Sequence, residues 1–562
     1  MAGVNSNDVG ARSAERRKLY LAALNGDWDS VKDMENIQRI ITIKSETALH
    51  IAAVANKEDF VKNLLKKYKG EGLTEINVNT VLPYAAATGN VNIAKELLEG
   101  HSSSANIDKV EPLIMAASLG HIKMVEYLYK HDIVQVRDWG ESDQKKLFFA
   151  FVDGNLYGRA MKMLEDNNNL AKAINENEET VLHVLARKPC AFVSETRPWL
   201  KLKQDNSKQS RANELFEKCL TAYRDYVENL NETSVIKNVL FDAAKEGNIE
   251  CLITLIRFDF DLLWETIDHK SIFHVAIEKR HESIFYLLNE IVSIGDLMID
   301  RIEDDGSNIL HLAAGLAPQE KLNAISGAAL QMQREILWFK EVKKVVRPAF
   351  KEMKNNKGKG DTPYVLFAKN HEELRTKGEK WMINTANYSM VVATLIGSTM
   401  FSGLLADGSD RSSKHHLAFS VASAISLFSS STSLVMFLSI LTSRYSYNDF
   451  VLWLPLRLLI GIASLCISIA AMMVAFFISF MLANHNGKEL PVIFAVIGLF
   501  AIAPIIYGVL KWYLFVDIAR STFFRCKPRQ RLLYKEVSQS HPRTCESGIE
   551  SSTHCINLAC IK

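Results

Sequence analysis

The pattern of hydrophobic and polar positions divides the chain into two parts. Towards the C-terminus, four stretches of 20 to 26 residues contain no Asp, Glu, Lys or Arg: Ala386–Ala406, Leu417–Leu441, Leu458–Ala483 and Pro491–Leu510. About 20 apolar residues let a helix cross a bilayer. Four such runs, joined by short polar segments, favour a membrane domain over buried helices of a large soluble domain. The pattern therefore predicts four transmembrane helices.

The rest of the chain repeats a phrase of four residues. Its first position is apolar, its second is often His, its third varies and its fourth is usually Ala. The phrase begins at Leu19, Leu49, Leu82, Leu113, Leu147, Leu182, Leu240, Phe273 and Leu310. Seven of the eight intervals lie between 30 and 37 residues, and the interval of 58 contains an insertion. A second apolar segment follows in several copies, as at Val61–Leu65. This period predicts a solenoid of helix–turn–helix units that share one continuous core.

A second mark keeps register with the phrase. Four residues after its small position, six of the nine copies carry Gly or Asn: Gly26, Asn56, Gly89, Gly120, Gly154 and Gly247. A helix that ends in the left-handed conformation favours Gly first and Asn next. We therefore expect the first helix of each unit to end at this position.

These marks resemble the ankyrin-repeat family. Thr47–Ala53 and Asn308–Ala314 are similar to its phrase Thr-Pro-Leu-His-x-Ala-Ala. The resemblance implies that the phrase histidine bonds the turn of the neighbouring unit. The expected structural histidines are His50, His183, His274 and His311. The pairs His415–His416 and His554–Cys555 lack further ligands at a usable spacing, so we expect no metal and no cofactor.

The junction between the two parts resembles one particular family. Asn356–Tyr364 is similar to a truncated last repeat, and Lys380–Met382 with Val391–Ile396 is similar to the start of the PGG domain of plant ankyrin-repeat membrane proteins. The accelerated-cell-death and increased-salt-tolerance proteins are the best-known members. Leu405–Gly408 stands where that family has Pro-Gly-Gly. The resemblance implies a plant protein of defence or stress signalling at the plasma membrane, with the endoplasmic reticulum as the alternative.

Charge and cysteine content argue against some classes of protein and indicate the compartment and the membrane orientation. The chain has 66 Lys and Arg against 64 Asp and Glu, and this balance argues against a nucleic-acid binder. Eight cysteines without a Cys-x-x-Cys pair fit a reducing compartment. Twelve Lys and Arg lie near span ends on the side of both termini and three on the other side. The positive-inside rule therefore predicts cytosolic termini.

The sequence offers no catalytic constellation. It has no P-loop, no His-Glu-x-x-His, no Gly-x-Ser-x-Gly and no Asp-His-His-Cys, so we expect no enzyme. The spans carry no Asp, Glu, Lys, Arg or His, which argues against an ion-coupled pump. The second span places Ser423, Ser426, Ser430 and Ser433 on one helical face. That face can serve close helix packing or line a polar pore in an oligomer.

The remaining expectations concern organisation and partners. The fold class is all-α, an ankyrin-repeat solenoid followed by a four-helix transmembrane domain. Arg211–Leu230 is amphipathic and is expected to lie over the solenoid. Cys526, in the basic tail, is a candidate for reversible palmitoylation. The predicted divisions are a disordered N-terminus (1–15), repeats (16–187), a charged insertion (188–233), repeats with the truncated last unit (234–370), the membrane domain (371–517) and a cytosolic tail (518–562).

Two functions follow from this organisation. The first is a membrane-anchored scaffold whose solenoid binds a protein partner. The alternative is an oligomeric channel gated through the solenoid. The partners expected are a protein and the lipid bilayer, with a homo-oligomer as an open alternative and no nucleic acid.

Overall fold

The structure is a computed structural model. It describes residue 516, residue 518, and residues 6–483 except 35, 38, 69–74, 100–109, 131–138, 193–205, 228–233, 292–301, 303–304, 357–359 and 407–413. Helices account for 75% of the structure, and the described residues contain no strand. The predicted all-α class is confirmed. The chain divides into two compact units, residues 1–262 and 263–562, so the division falls inside the second predicted repeat block.

The first unit consists of paired helices. They are α1 (Ser6–Asn25), α2 (Ala48–Val54), α3 (Glu58–Lys67), α4 (Glu75–Thr88), α5 (Val91–Glu99), α6 (Val110–Ser118), α7 (Ile122–Lys130), α8 (Glu141–Asp153), α9 (Tyr157–Asp166), α10 (Val181–Ala186), α11 (Asn206–Val227), α12 (Ser234–Glu246) and α13 (Ile249–Phe258). The helices that carry the repeated phrase pack side by side as one layer, in the order α1, α2, α4, α6, α8, α10, α12. Helices α3, α5 and α7 pack in turn as a second layer.

The second repeat shows why the sequence forms this pair of layers. Thr47 caps α2, and Leu49, Ala52 and Ala53 are buried between neighbouring first helices. The small alanines let those helices approach closely. In α3 the buried positions, from Phe60 to Leu65, recur at helical spacing on one face. Each pair therefore buries one side on the next pair and cannot complete its core alone.

The insertion contributes α11, which packs against α9, α10 and the 3-10 helix Asn168–Lys172. Its buried side comprises Leu215, Phe216, Cys219, Leu220 and Tyr223. Burial raises the pKa of the Cys219 thiol to about 12, so this cysteine stays protonated and contributes packing.

The second unit joins the remaining repeats to the apolar helices. Its helices are α14 (Ile272–Glu278), α15 (Glu282–Phe285), α16 (Ile309–Ala313), α17 (Gln319–Asn323), α18 (Ala328–Val345), α19 (Pro348–Lys351), α20 (Pro363–Ala406), α21 (Lys414–Leu441) and α22 (Trp453–Ala483). Helices α20, α21 and α22 are long and apolar enough to cross a membrane. They contain the first three predicted spans, and the fourth, 491–510, lies outside the described residues.

Helix α20 is longer than its predicted span. It begins at Pro363, in the truncated last repeat, and runs for 44 residues to Ala406. At 1.5 Å per residue its length is about 66 Å. The same helix therefore begins in the segment that the sequence predicts to be a truncated repeat, and it contains the first candidate span.

Candidate functional site

The phrase histidines make the same contact at the start of four helices. In each, Nδ1 lies 3.2 to 3.3 Å from the backbone N–H of the residue three positions earlier, as in His50 and Thr47. Because that N–H donates, Nδ1 accepts and the imidazole proton lies on Nε2. The His50 Nε2 then donates to Thr80 Oγ1 at 3.0 Å, in the next repeat. His311 Nε2 likewise lies 3.1 Å from Asp361 O, in the truncated repeat.

The surroundings of these histidines agree with a structural role. All four are buried: His50, His183, His274 and His311. Burial lowers the pKa of His50 and of His183, so the neutral form that caps the helix is favoured. Among the described residues, no group of three or more His, Cys, Asp or Glu has the arrangement of a metal site.

The turn glycines fall into two groups. A positive φ occurs at Gly26, Asn56, Gly89, Gly120 and Gly247. At Gly154 the expectation of a left-handed residue is wrong, because its φ is −79° and the next residue, Asn155, takes φ +60°. A Cβ on Gly154 would lie 1.8 Å from Ala117 O. Glycine is required there because the backbones of two successive turns touch.

The serine face of α21 contacts the neighbouring helices. Ser426 and Ser468 each donate to the other's backbone carbonyl, at 2.9 and 2.8 Å. Ser433 Oγ donates to Gly461 O on α22 at 3.0 Å, and Ser430 Oγ donates to Ala393 O on α20 at 2.6 Å. All four predicted serines are fully buried. Three of their hydroxyls thus act as interhelical hydrogen-bond donors.

Ser423 differs from the other three serines. Its hydroxyl is buried and has no hydrogen-bond partner among the described residues. An unmatched polar group in a dry environment costs free energy. The packing of α20, α21 and α22 therefore does not explain why a serine occupies position 423.

A buried ionic cluster in the second unit was not predicted. Glu335 of α18 accepts hydrogen bonds from Arg280 at 2.8 Å and from His371 of α20 at 3.1 Å. Their side chains are 3%, 7% and 0% exposed, respectively. The backbone N–H of Ala317 also donates to Glu335 at 3.1 Å. The cluster joins α20 to α18 and to the turn that follows α14.

The protonation of this cluster follows from its geometry. Burial would raise the pKa of Glu335, but the hydrogen bond from His371 and the charge of Arg280 outweigh it, so the pKa lies below its usual value. The other His371 nitrogen, Nδ1, lies 2.9 Å from the backbone carbonyl of Phe367. Both ring nitrogens of His371 therefore lie within hydrogen-bond distance of an oxygen acceptor. Its ring stacks on Phe367, with centroids 4.0 Å apart.

The loop between α21 and α22 holds the same part of α20 from another side. Val451 O accepts from Gln333 of α18 at 2.8 Å, and Tyr447 OH donates to Ala368 O of α20 at 3.2 Å. A Cβ on Gly378 would lie 3.2 Å from the Phe450 ring. Helix α18 and this loop therefore form a collar around α20 just before its apolar part.

The comparisons with known proteins concern the repeats. The family model for ankyrin repeats matches in three copies, over residues 19–104 and 49–138. The N-terminal region contains ankyrin repeats. A structural match is the crystal structure of the human ASB11 ankyrin repeat domain, at 16% identity, 54% of this chain, 92% of that chain and a TM-score of 0.19. No curated protein matches the chain.

The ankyrin match covers the first four occurrences of the phrase, from Leu19 to Leu113. The capping contacts of the phrase histidines extend the same local geometry to α10, α14 and α16. The candidate lipidation site, Cys526, lies outside the described residues.

Proposed function

We propose that this protein is a membrane-anchored scaffold whose ankyrin repeats bind a protein partner in the cytosol. The observation that supports this most directly is a stripe of exposed apolar residues on the first-helix layer of the first unit. Leu21, Leu24, Val54 and Met115 are 37 to 50% exposed, while the alanines between them are buried. Apolar side chains that share one exposed face favour protein recognition.

The anchoring part of the proposal rests on α20, α21 and α22. Their outward side chains, such as Leu395, Phe428 and Val474, are apolar and exposed. A bilayer would cover them, and the distribution of Lys and Arg favours cytosolic termini. The resemblance of Lys380–Met382 and Val391–Ile396 to the PGG domain supports plant defence or stress signalling, with the plasma membrane first and the endoplasmic reticulum second. No catalytic activity is proposed.

The scaffold is tested with the full-length protein in its membrane. Replacing Leu24 and Val54 with Gln removes apolar surface without adding charge, and Ile122→Gln is the control, because Ile122 is 45% exposed at the start of α7 in the other layer. Cross-linking with quantitative mass spectrometry measures the partners. We expect the double variant to lose at least one partner that the wild type and I122Q retain. Identical partner sets in all three would contradict the proposal.

A channel is the second candidate, and the unpartnered hydroxyl of Ser423 is the observation that favours it. The bonded hydroxyls of Ser426, Ser430 and Ser433 favour packing instead. Current across planar bilayers with the purified full-length protein separates the two. Unitary conductance that changes in S423A would support a channel. Silence from protein shown to be folded and inserted would leave the scaffold.

A further inference from the structure

Arg457 is a cation at the rim of the apolar helices that has no acidic partner among the residues that the structure describes. It lies in the second turn of α22, and its Nη1 donates to Ser439 O at 3.2 Å and to Ser443 Oγ at 2.7 Å. Both acceptors belong to the C-terminal end of α21 and the residues just after it. Arg444, which follows Ser443 directly, is exposed and also forms no ion pair within the described ranges. Two arginines therefore lie at one corner of the helix bundle, and no described carboxylate forms an ion pair with either.

The carboxylates of Glu372, Glu379 and Asp449, on α20 and in the loop before α22, have other partners. Glu372 of α20 binds Arg375 at 2.7 Å, and Glu379 lies 3.7 Å from the same guanidinium. Asp449, in the loop before α22, accepts the backbone N–H of Ser446 at 3.2 Å. The bonds of Arg457 use Nη1 only, so its Nε and Nη2 hydrogens have no protein acceptor in the part of the chain that is described. A guanidinium presents these hydrogens as a fork that matches a phosphate.

The residues around Arg457 belong to a membrane interface. Trp453 and Ile460 lie one turn before and one turn after it on the same face of α22, and they are 58% and 39% exposed. Leu438, one residue before Ser439 on α21, is also exposed. Tryptophan favours the headgroup level, and isoleucine and leucine favour the acyl chains. Arg457 therefore lies at the depth where the phosphates of the bilayer are found.

We propose that Arg457, assisted by Arg444, binds the phosphate of an anionic phospholipid in the cytosolic leaflet. The acyl chains of this lipid lie against Ile460 and Leu438. The phosphate supplies the counter-charge that this corner lacks among the described residues. Because Arg457 of α22 also donates to Ser439 of α21, the bound phosphate influences the contact between these two helices. This inference rests on the proposed membrane anchoring and on its orientation.

The test uses the full-length protein in detergent micelles, with phosphatidylserine as the probe and phosphatidylcholine as the reference lipid. Native mass spectrometry measures the bound lipid. We expect Arg457→Gln to weaken phosphatidylserine binding about tenfold, the loss of roughly one charge-assisted contact. Arg457→Lys keeps the charge without the fork and is expected to fall between the wild type and R457Q. Lys343→Gln is the matched control, because it removes one charge from the exposed surface of α18 and should leave binding unchanged.

Several outcomes would overturn the lipid site. Equal binding of phosphatidylserine by R457Q and the wild type is one, and equal binding of phosphatidylserine and phosphatidylcholine by the wild type is another. Inorganic phosphate is a further arm: if it binds at Arg457 and displaces the lipid at equal concentration, the site takes a soluble anion. If R457Q does not fold, R457K decides, and wild-type affinity in R457K would contradict recognition by the fork.

The membrane anchoring has its own readout. Alkaline carbonate extraction of vesicles that contain the wild-type protein tests insertion alone. Extraction of the protein would refute the anchoring on which the proposed function depends. Protein that remains inserted but shows no preference for phosphatidylserine would refute only the lipid site.

Discussion

His371 Nε2 lies 3.1 Å from Glu335 Oε2, and this contact links the helix that enters the apolar bundle to the helix that follows the last complete repeat. Arg280, from the repeat before it, completes the cluster. A buried ion pair is weak evidence for stability, because the cost of removing the charges from water offsets their attraction. Removing only one partner of the pair is costly, however, because the charge of the other partner is left buried and uncompensated. The contact thus makes the position of α20 depend on the repeats of the second unit.

Glu335→Gln should strongly destabilise the second unit. The substitution keeps the size of the side chain but leaves the buried guanidinium of Arg280 without its anion. Breaking such a buried pair costs about 3–5 kcal/mol. Thermal unfolding of the full-length protein in detergent measures the effect. Glu341→Gln is the control on the same helix, because the Glu341 pair with exposed Lys344 should contribute less than about 1 kcal/mol. Equal unfolding midpoints for E335Q and E341Q would contradict this account of the cluster.

The salt bridge between Glu179 and Arg187 should make the first unit sensitive to acid. The hydrogen bond from Arg187 lowers the pKa of Glu179 to about 2, against the opposing effect of burial. Since the folded pKa is below the unfolded one, the stabilisation is complete above about pH 4.5 and is lost as the pH falls towards about 2. The difference in unfolding free energy between the wild type and Glu179→Gln should therefore shrink over that range. Arg187→Gln removes the other partner of the pair, so it should reproduce the acid dependence of Glu179→Gln, and a different dependence would contradict this account.

Gly154→Ala should destabilise the repeats far more than an ordinary glycine substitution. Its Cβ would overlap Ala117 O, and overpacking of this kind costs about 1–3 kcal/mol or more. Gly140→Ala is the matched control, because a Cβ there meets nothing within 4 Å. Gly140 is the N-cap of α8, where Ala is less favourable than Gly, so that substitution should cost at most about 1 kcal/mol. Urea unfolding of the two variants decides between a steric and a merely conformational role for Gly154.

Ser426→Ala should weaken the contact between α21 and α22 by about 0.6 kcal/mol, with an upper limit near 1.7 kcal/mol. The substitution removes one of the two reciprocal bonds with Ser468. Ser431→Ala is the control, because Ser431 is exposed and donates only to Leu427 O of its own helix. The unfolding free energy in mixed micelles measures both. A larger loss for S431A than for S426A would contradict the packing role of the serine face.

Much of the fold was accessible from the sequence because its signals are local. The phrase that begins at Leu19 fixes the position and spacing of each first helix, and uninterrupted apolar length fixes the three described spans. The start of α20 could not be predicted from such local signals. The charged segment between Lys369 and Lys380 separates the truncated repeat from the apolar run, so the sequence indicates two elements. Its Glu, Lys, Leu and Arg residues are good helix formers, and one helix continues through it.

The ionic cluster was missed for a different reason. Arg280 and Glu335 are 55 residues apart, and Glu335 and His371 are 36 apart. Periodicity pairs residues within a helix and says nothing about partners at such separations. One signal was present: Glu335 lies in register with Met332 and Phe339 on the apolar side of α18. A charge at a core position predicts a buried partner, although it does not name that partner.

The uninterrupted course of α20 has a mechanical consequence. A helix advances by 100° per residue, so its phase is conserved from Pro363 to Ala406. A rotation of the helix at Pro363 would turn its apolar end through the same angle, because no break in the helix separates the two ends. The insertion of a single residue between the collar and the apolar part would turn Ala393 and Gly397 away from Ser430 by about a quarter of a turn. The rotational setting of the three apolar helices is therefore defined before the apolar part of α20 begins, by the contacts that hold Phe367, His371 and Gly378.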